Sequence, residues 1–251
     1  MKVFTVFLGL CLLLACKKGA ISMDNEKLPA DTIKKPMDTT AKPVDPNRGK
    51  QLNYLALGDS YTIGESVERA QIFPAQLVKE LEKAALIINP PTIIARTGWT
   101  TSELQTAIKE SGVIQKFNFV TLLIGVNNQY RGESKDKYRK EFKELLQTAI
   151  NYVDGNKAHV FVLSIPDWGV TPFAQTSGRD LVTISAEIDA FNAVNKQETL
   201  ALGISYIDIT PVSRNAATDN SLVASDGLHP SGKMYKDWAA NAAAAVIKAF
   251  K

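Results

Sequence analysis

The stretch Leu52-Asn53-Tyr54-Leu55-Ala56-Leu57 runs directly into Gly58-Asp59-Ser60. A short apolar run that ends at a glycine is typical of a buried strand that turns toward a helix. Four more runs of this kind follow it, at residues 92–95, 119–124, 159–165 and 204–209. The sequence therefore predicts five buried strands, the first of them at residues 52–57.

Helical periodicity separates these strands. Apolar residues recur at spacings of three or four from Phe73 to Ala84 and from Tyr138 to Ala149, with charged residues between them. Ser231 is placed to cap a last helix. Strands that alternate with helices and are apolar throughout indicate a parallel sheet covered on both faces. We expect one three-layer α/β/α sandwich whose ligands bind at the carboxyl ends of the strands.

The composition excludes several classes of protein. The chain has 251 residues, of which 45% are hydrophobic and 22% charged, as in an ordinary globular protein and unlike a disordered one. Its formal net charge is only +3, so no basic excess indicates a nucleic-acid partner. With two cysteines and two histidines, the chain is neither a zinc finger nor a disulfide scaffold.

The amino terminus has the composition of an export signal. Lys2 precedes an apolar run over residues 3–14, which as a helix spans about 18 Å and is too short for a hydrocarbon core of about 30 Å. The run ends in Leu13-Leu14-Ala15-Cys16, which resembles the lipobox of bacterial lipoproteins, where the cysteine becomes lipidated. Ordinary secretion with a free Cys16 thiol is the alternative.

This amino-terminal pattern predicts three segments. Residues 1–15 are expected to be a lipoprotein signal peptide, and lipidated Cys16 is expected to anchor the chain to a membrane. Residues 16–50, which are rich in Lys, Asp, Thr and Pro, are expected to include that cysteine and a flexible tether. Residues 51–251 then form the folded domain. The expected location is the bacterial cell envelope, at the outer membrane or the cell surface.

Ser60 follows the first predicted strand, at a turn that exposes a nucleophile on a rigid elbow. Taken alone, the same serine is also explained as a helix cap. A serine nucleophile needs a base, and His229 lies in a Gly/Pro loop three residues after Asp226. One loop can hold that carboxylate against the imidazole and fix its tautomer. The other histidine, His159, opens a predicted strand and is interpreted as structural.

Acyl transfer also needs hydrogen-bond donors for the developing oxyanion. Gly98 follows the second strand, where it can offer an unobstructed backbone N–H, and Asn127 follows the third, where its side-chain amide can supply another. Each signal is weak alone, because glycine and asparagine are common in turns. Together with Ser60 and His229, these residues fall on one rim of the predicted sheet.

These blocks resemble those of the SGNH/GDSL hydrolase superfamily. Gly58-Asp59-Ser60, Gly98, Gly125-Val126-Asn127 and the pair Asp226 and His229 stand in the family's order within residues 51–251. The third block of the family usually reads Gly-x-Asn-Asp, and here Asn128 stands in place of the aspartate. We expect this departure to affect the local bracing of the loop more than catalysis.

The resemblance implies a role for each matching residue. Ser60 is the expected nucleophile, His229 the general base and acid, and Asp226 the orienting carboxylate. The amides of Ser60 and Gly98 and the side chain of Asn127 are the expected oxyanion hole. The implied reaction is hydrolysis of an ester through an acyl-serine, without a metal or an organic cofactor. The implied fold is a flavodoxin-like parallel sheet of about five strands in the order 2-1-3-4-5.

The substrate is less defined by the sequence. Trp99, Trp168 and Phe173 are candidates for the substrate rim, where they can stack on a sugar or hold an acyl chain; packing beneath loops is the alternative. No long apolar lid is evident, which favours small-molecule or glycan esters with short acyl chains, such as carbohydrate O-acetyl groups. A lysophospholipase, lipase or thioesterase with the same triad is the alternative substrate class.

Two functions of other classes are also considered. A lipid-anchored binding protein with an inactive hydrolase fold predicts the loss of a catalytic residue, and none is lost. A metal-dependent phosphoesterase needs several acidic residues at strand ends. Asp59, Asp167 and Asp208 are candidates, but no histidine lies at a known ligand spacing from them.

Overall fold

The computed structural model describes residue 49 and residues 51–251 of the chain. The predicted signal peptide, Cys16 and nearly all of the predicted tether lie outside the described residues. Within the described part, no helix combines the length and the apolar character that crossing a membrane requires.

The described residues form seven strands and nine α-helices. The strands are β1 (Gln51–Leu52), β2 (Tyr54–Gly58), β3 (Ile87–Ile88), β4 (Thr92–Ala95), β5 (Phe119–Leu123), β6 (Val160–Leu163) and β7 (Ser205–Ile207). The helices are α1 (Ser60–Ile63), α2 (Phe73–Lys83), α3 (Thr101–Glu110), α4 (Val126–Tyr130), α5 (Lys135–Tyr152), α6 (Pro172–Thr176), α7 (Leu181–Ala201), α8 (Thr210–Arg214) and α9 (Gly232–Phe250).

Five parallel strands form the central sheet in the order β4-β2-β5-β6-β7. Leu57 of β2 pairs with Ile94 of β4 on one side and with Leu122 of β5 on the other. Counted along the chain within this sheet, the strand order is 2-1-3-4-5, so the predicted flavodoxin-like topology is confirmed. The winding direction reverses between β2 and β5, which is where sheets of this kind bind ligands.

Two helical layers cover the sheet. Helix α2 packs against α9, which also contacts β6 and β7, while α5 packs between α3 and α7 and contacts β5. Leu77 of α2 and Trp238 of α9 are fully buried, as are Phe142 and Leu146 of α5. As predicted, Ser231 caps α9, because its hydroxyl accepts a hydrogen bond from the Met234 amide. The three-layer α/β/α sandwich is confirmed.

The first predicted strand is divided in the structure. Asn53 interrupts it, so that Leu52 belongs to β1, which pairs with β3, and β2 begins at Tyr54. The Asn53 amide donates to Asn118 Oδ1 at 2.8 Å, and Asn53 Oδ1 accepts from Asn89 Nδ2 at 2.8 Å. An apolar pattern gives no sign of these side-chain bonds. The second strand has its predicted bounds, and the last three are one to three residues shorter than predicted.

Candidate active site

Ser60 lies at the junction of β2 and α1. Gly58 ends the strand, and a Cβ atom there would lie 2.5 Å from the carbonyl oxygen of Leu123, so the close approach of β5 requires glycine. Asp59 caps the helix, because its Oδ1 accepts from the Tyr61 amide at 3.0 Å. Ser60 is therefore the first residue of the helix and not its cap. This tight turn holds the Ser60 hydroxyl at the carboxyl edge of the sheet.

His229 and Asp226 form a hydrogen-bonded pair in the loop before α9. His229 Nδ1 lies 2.6 Å from Asp226 Oδ2. Because a carboxylate only accepts, Nδ1 carries the proton and Nε2 is left as the basic nitrogen. The His229 ring packs edge-on against Tyr61, with ring centroids 5.7 Å apart. This arrangement suits a general base that is oriented by a carboxylate.

Four hydrogen-bond donors hold the Asp226 carboxylate. Its Oδ1 accepts from the amides of Leu228 and His229, both at 2.9 Å, and its Oδ2 accepts from His229 Nδ1 and from Ser66 Oγ at 2.6 Å. Burial raises the pKa of Asp226, but these hydrogen bonds outweigh burial and hold the pKa well below its usual range. Asp226 is thus ionised at neutral pH and can stabilise an imidazolium.

Three donors are available at the site for an oxyanion. The backbone N–H groups of Ser60 and Gly98 make no hydrogen bond to any described residue, and the left-handed φ of +86° at Gly98 favours glycine. Asn127 Nδ2 donates to the carbonyl of Trp99 at 2.9 Å. That bond fixes the orientation of the Asn127 amide and leaves its second N–H without a partner among the described residues, so that it can donate to a ligand.

A cavity of about 240 Å³ brings these groups together. Ser60, Gly98, Asn127 and His229, which come from four separate segments of the chain, all lie on its wall. The rest of the wall is mainly apolar and includes Val126, Tyr130, Trp168, Phe173 and Leu228. A nucleophile, a base, oxyanion donors and an apolar pocket at one cavity are the groups that acyl transfer requires.

The family comparison agrees with this geometry. The chain matches the GDSL-like lipase/acylhydrolase family over residues 56–236, well over half of its length. The chain belongs to this family. As a GDSL/SGNH-type protein, it is a carboxylic ester hydrolase. No curated protein gives a significant sequence match.

Many solved structures share the fold of this GDSL-like hydrolase. The lipase Lip_vut3 from a goat rumen metagenome is 21% identical, with a TM-score of 0.63 over 77% of this chain and 97% of its own. A lipase/acylhydrolase from Enterococcus faecalis is 17% identical, with a TM-score of 0.59 over 78% and 96%. The acetylxylan esterase Axe2 from Geobacillus stearothermophilus is 18% identical, with a TM-score of 0.58 over 82% and 96%. At these identities the likeness establishes the fold alone.

Asn128, which departs from the usual third block, braces two helices. Its Oδ1 accepts from the Thr101 amide at 3.1 Å. Its Nδ2 donates to Thr101 Oγ1 at 2.7 Å and to Glu133 Oε2 at 2.8 Å. An aspartate could not donate to Glu133, so the asparagine is matched to an acid that lies five residues later. The brace between α4 and the start of α3 is thereby kept.

Asp59 is fully buried beside Ser60. Its Oδ1 caps α1, whereas its Oδ2 has no hydrogen-bond partner among the described residues. Burial raises the pKa of Asp59 to about 7, although hydrogen bonds from backbone amides oppose that effect. The buried Asp59 carboxyl therefore changes between its protonated and its ionised form near neutral pH.

The structure places the predicted aromatic residues differently from one another. Trp168 and Phe173 line the cavity that contains Ser60 and His229, and Trp168 is held by a 2.8 Å hydrogen bond from its indole N–H to Gln129 Oε1. Trp99 lies on a neighbouring groove. His159 is not on the cavity wall; its ring stacks on Phe250 with centroids 4.4 Å apart, in keeping with a structural role.

The three carboxylates considered as metal ligands make separate contacts. Asp59 caps α1, Asp167 pairs with Arg214 at 2.9 Å, and Asp208 accepts from Ser164 Oγ at 3.1 Å. Among residues 51–251, no group of three or more His, Cys, Asp or Glu side chains is arranged to hold a metal ion. The described residues therefore do not assemble the site that a carboxylate-based phosphoesterase needs.

Two residues at the site lie outside every sequence block. Tyr130 is 49% exposed and packs edge-on against Trp168 on the cavity wall. Its position three residues after Asn127, one turn along the same short helix, is a signal that could have found it. Ser66 contacts Asp226 from 160 residues away in sequence. No local pattern could have found that contact.

Proposed function

We propose that this GDSL-like hydrolase cleaves short-chain carboxylic esters, carbohydrate O-acetyl groups among them, through an acyl-serine on Ser60. The observation that carries the proposal is the 2.6 Å pair between His229 and Asp226 on the wall of a cavity that also exposes Ser60, Gly98 and Asn127. These are the parts of an acyl-transfer site, and they meet where the sheet reverses its winding.

In the proposed acylation step, Ser60 Oγ attacks the ester carbonyl carbon while His229 Nε2 takes the hydroxyl proton. The new oxyanion accepts hydrogen bonds from the amides of Ser60 and Gly98 and from Asn127 Nδ2. The carbon–oxygen bond to the alcohol then breaks, and His229 returns the proton to the leaving oxygen. Asp226 stabilises the imidazolium that exists between the two transfers.

In the proposed deacylation step, water replaces the alcohol. His229 Nε2 removes a proton from the water as its oxygen attacks the acyl carbon. The same three donors stabilise the second oxyanion. The bond to Ser60 Oγ breaks, His229 returns the proton to the serine, and a carboxylic acid leaves. The His229 imidazole thus accepts and returns one proton in each of the two steps.

The size of the cavity supports short acyl groups. Its volume of about 240 Å³ is below the roughly 300–1,000 Å³ of typical small-molecule sites. Trp168, which is 2% exposed and hydrogen-bonded through its indole, makes the apolar wall rigid. Acetylxylan esterase activity in a protein of the same fold is consistent with an acetylated glycan as substrate, although that likeness is of fold only.

Hydrolysis of a series of p-nitrophenyl esters, from acetate to palmitate, tests the proposal, with the Ser60→Ala variant of the full chain as control. We expect turnover that falls steeply beyond short chains and is absent in the variant. A preference for long chains would contradict the short-chain assignment in favour of a lipase or lysophospholipase. Turnover of the wild type no faster than Ser60→Ala would contradict serine catalysis and favour a binding protein.

We propose further that Cys16 is lipidated and anchors the enzyme at the cell envelope. The sequence Leu13-Leu14-Ala15-Cys16 supports this, together with a polar segment of about 30 Å r.m.s. reach that would let the domain meet polymers outside the cell. Cys11 provides a matched control, because it lies within the proposed signal peptide. Cys16→Ser should release the chain from membranes and Cys11→Ser should not; membrane retention of Cys16→Ser would contradict the proposed anchor.

A further inference from the structure

A second concave surface, here called the Trp99 groove, lies beside the catalytic cavity. It has a volume of about 300 Å³ and is lined by Arg96, Trp99, Ser102, Glu103, Thr106 and Glu110, with Ala107. The residues from Ser102 onward are spaced by one, three or four positions and form one face of α3. The groove therefore has one aromatic side chain and a polar wall, in contrast to the mainly apolar catalytic cavity.

One short loop joins the two concave surfaces. Thr97 and Gly98 face the catalytic cavity, whereas their chain neighbours Arg96 and Trp99 face the groove. The Trp99 carbonyl accepts the 2.9 Å bond from Asn127 Nδ2, the side chain proposed as an oxyanion donor. The main chain of Trp99 is thus fixed relative to the reacting carbonyl. Adjacent residues of one loop therefore line both surfaces.

The groove has hydrogen-bonding groups without a partner in the described part of the chain. The side chains of Arg96 and Glu110 are exposed and make no hydrogen bond or ion pair with any described residue. The Trp99 indole is half-buried and forms no ring pair with another described aromatic residue. Glu103, by contrast, is occupied, because it accepts from the Thr100 amide at 2.8 Å and pairs with Arg131 at 3.2 Å. An aromatic side chain thus lies together with a donor and an acceptor that have no partner among the described residues.

We infer that the Trp99 groove binds a sugar ring of the alcohol half of the substrate, an inference that rests on the proposed ester hydrolysis at Ser60. A pyranose has an apolar C–H face that can pack on an indole, and hydroxyl groups around its edge that both donate and accept hydrogen bonds. Trp99 matches the face, and Arg96 and Glu110 match the edge. An acyl chain or a simple aryl alcohol has no use for the guanidinium and the carboxylate.

The different chemistry of the two surfaces determines the orientation in which the substrate binds. The short acyl group occupies the apolar cavity, and the sugar lies across the loop on α3. This arrangement makes Trp99 a specificity-determining residue that selects the alcohol and not the acyl group. The effect of removing its ring should therefore depend on which alcohol the ester carries.

The test compares kcat/KM for partially O-acetylated xylo-oligosaccharides with kcat/KM for ethyl acetate, whose two-carbon alcohol is too short to cover the indole. In the full chain, Trp99→Ala should lower kcat/KM for the oligosaccharide about tenfold more than it lowers kcat/KM for ethyl acetate. The additional loss should appear as a higher KM for the oligosaccharide. Trp99→Phe keeps an aromatic ring, so its ratio of the two kcat/KM values should stay close to that of the wild type. Lys109→Ala, an exposed change on α3 outside the groove, is the control and should leave the ratio at the wild-type value.

Three results would overturn the inference, and they are distinguishable from failure of the proposed function. Equal losses on both substrates in Trp99→Ala and Trp99→Phe would mean that the side chain only supports Asn127. An unchanged KM for the oligosaccharide in folded Trp99→Ala would mean that the groove binds no sugar. The same conclusion would follow if the wild-type protein hydrolysed ethyl acetate but not the oligosaccharide. Failure of the wild type to hydrolyse either ester would instead contradict ester hydrolysis itself.

Discussion

Restoring the aspartate that is usual in the third block of the family should destabilise this protein. The Asn128→Asp change replaces Nδ2, which donates to Glu133 Oε2 at 2.8 Å, with a carboxylate oxygen. Asn128 is 0% exposed and the Glu133 side chain is 18% exposed, so little water can come between the two acids. Thr101 Oγ1 also loses the donor that now reaches it at 2.7 Å. The substitution therefore creates a partly buried pair of like charges.

The loss of stability depends on whether the variant keeps both carboxylates ionised or protonates one of them. Two ionised carboxylates at that 2.8 Å distance repel by about 6 kcal/mol at an effective dielectric constant of about 20. Protonating one of them at pH 7, about 3 pH units above an ordinary carboxyl pKa, costs about 4 kcal/mol. The protein takes the cheaper route, so the free energy of unfolding should fall by about 4 kcal/mol at pH 7. At pH 5 the same protonation costs about 1 kcal/mol.

The sign of the pH dependence follows from linkage. The pair has a raised pKa in the folded state, so the folded variant holds a proton that its unfolded chain releases between about pH 4 and pH 7. The deficit in stability should therefore grow as the pH rises through this range. Urea unfolding followed by tryptophan fluorescence at pH 5 and pH 7 measures it.

A second substitution tests the cause directly. Combining Asn128→Asp with Glu133→Gln supplies an amide that can donate to the new carboxylate, and should recover most of the lost stability. Glu133→Gln alone is the control, since it also removes the 2.8 Å ion pair with the exposed Lys137, a pair worth about 0.5 kcal/mol. A deficit that is the same at both pH values, or that persists in the double variant, would refute the reasoning.

Three further predictions follow from individual contacts. Asn127→Ala should lower kcat on p-nitrophenyl acetate by about 100- to 1,000-fold, as loss of one oxyanion donor does; wild-type turnover would contradict its role. Ser66→Ala removes the 2.6 Å bond to Asp226, so the pKa of Asp226 should rise and the acid-unfolding midpoint, measured by circular dichroism, should move to higher pH; an unchanged midpoint would contradict this. The pKa of Asp59 is raised from 3.8 to about 7 in the folded state, so ionising this carboxyl should lower the free energy of unfolding by up to about 4 kcal/mol as the pH rises between those values. Urea titrations of Asp59→Asn should lack this pH-dependent loss. Parallel pH profiles of stability for the wild type and the variant would contradict the prediction.

The strand positions were predictable because buried parallel strands are continuous apolar runs. Thr92–Ala95 has its predicted bounds, and all five strands of the central sheet overlap the runs that predict them. The break at Asn53 was not predictable, since it depends on hydrogen bonds to Asn89 and Asn118, which are distant in sequence. Helix α7 was missed because its apolar residues do not keep to one face. Helix α3 was missed although Thr100 and Glu103 form a capping box at its start.

The candidate site was predictable where chemistry restricts the choice of residue. Ser60, Asp226 and His229 are recognisable because few residue types serve as nucleophile, base and orienting acid, and the structure places all three at or beside one cavity. Ser66 and Glu133 were not predictable, because their contacts with Asp226 and Asn128 arise only when separate segments fold together. The groove beside Trp99 likewise requires the structure, since it separates this residue from the other aromatic candidates.

Covalent labelling of the full chain with a fluorophosphonate, followed by mass spectrometric mapping of the modified residue, tests the central claim most directly. Such a reagent reacts with a serine only when a base activates it. We predict one adduct per chain, on Ser60, with labelling abolished in Ser60→Ala and strongly slowed in His229→Ala. Absence of labelling in the wild type, or an adduct on another serine, would contradict the assignment of Ser60 as the nucleophile.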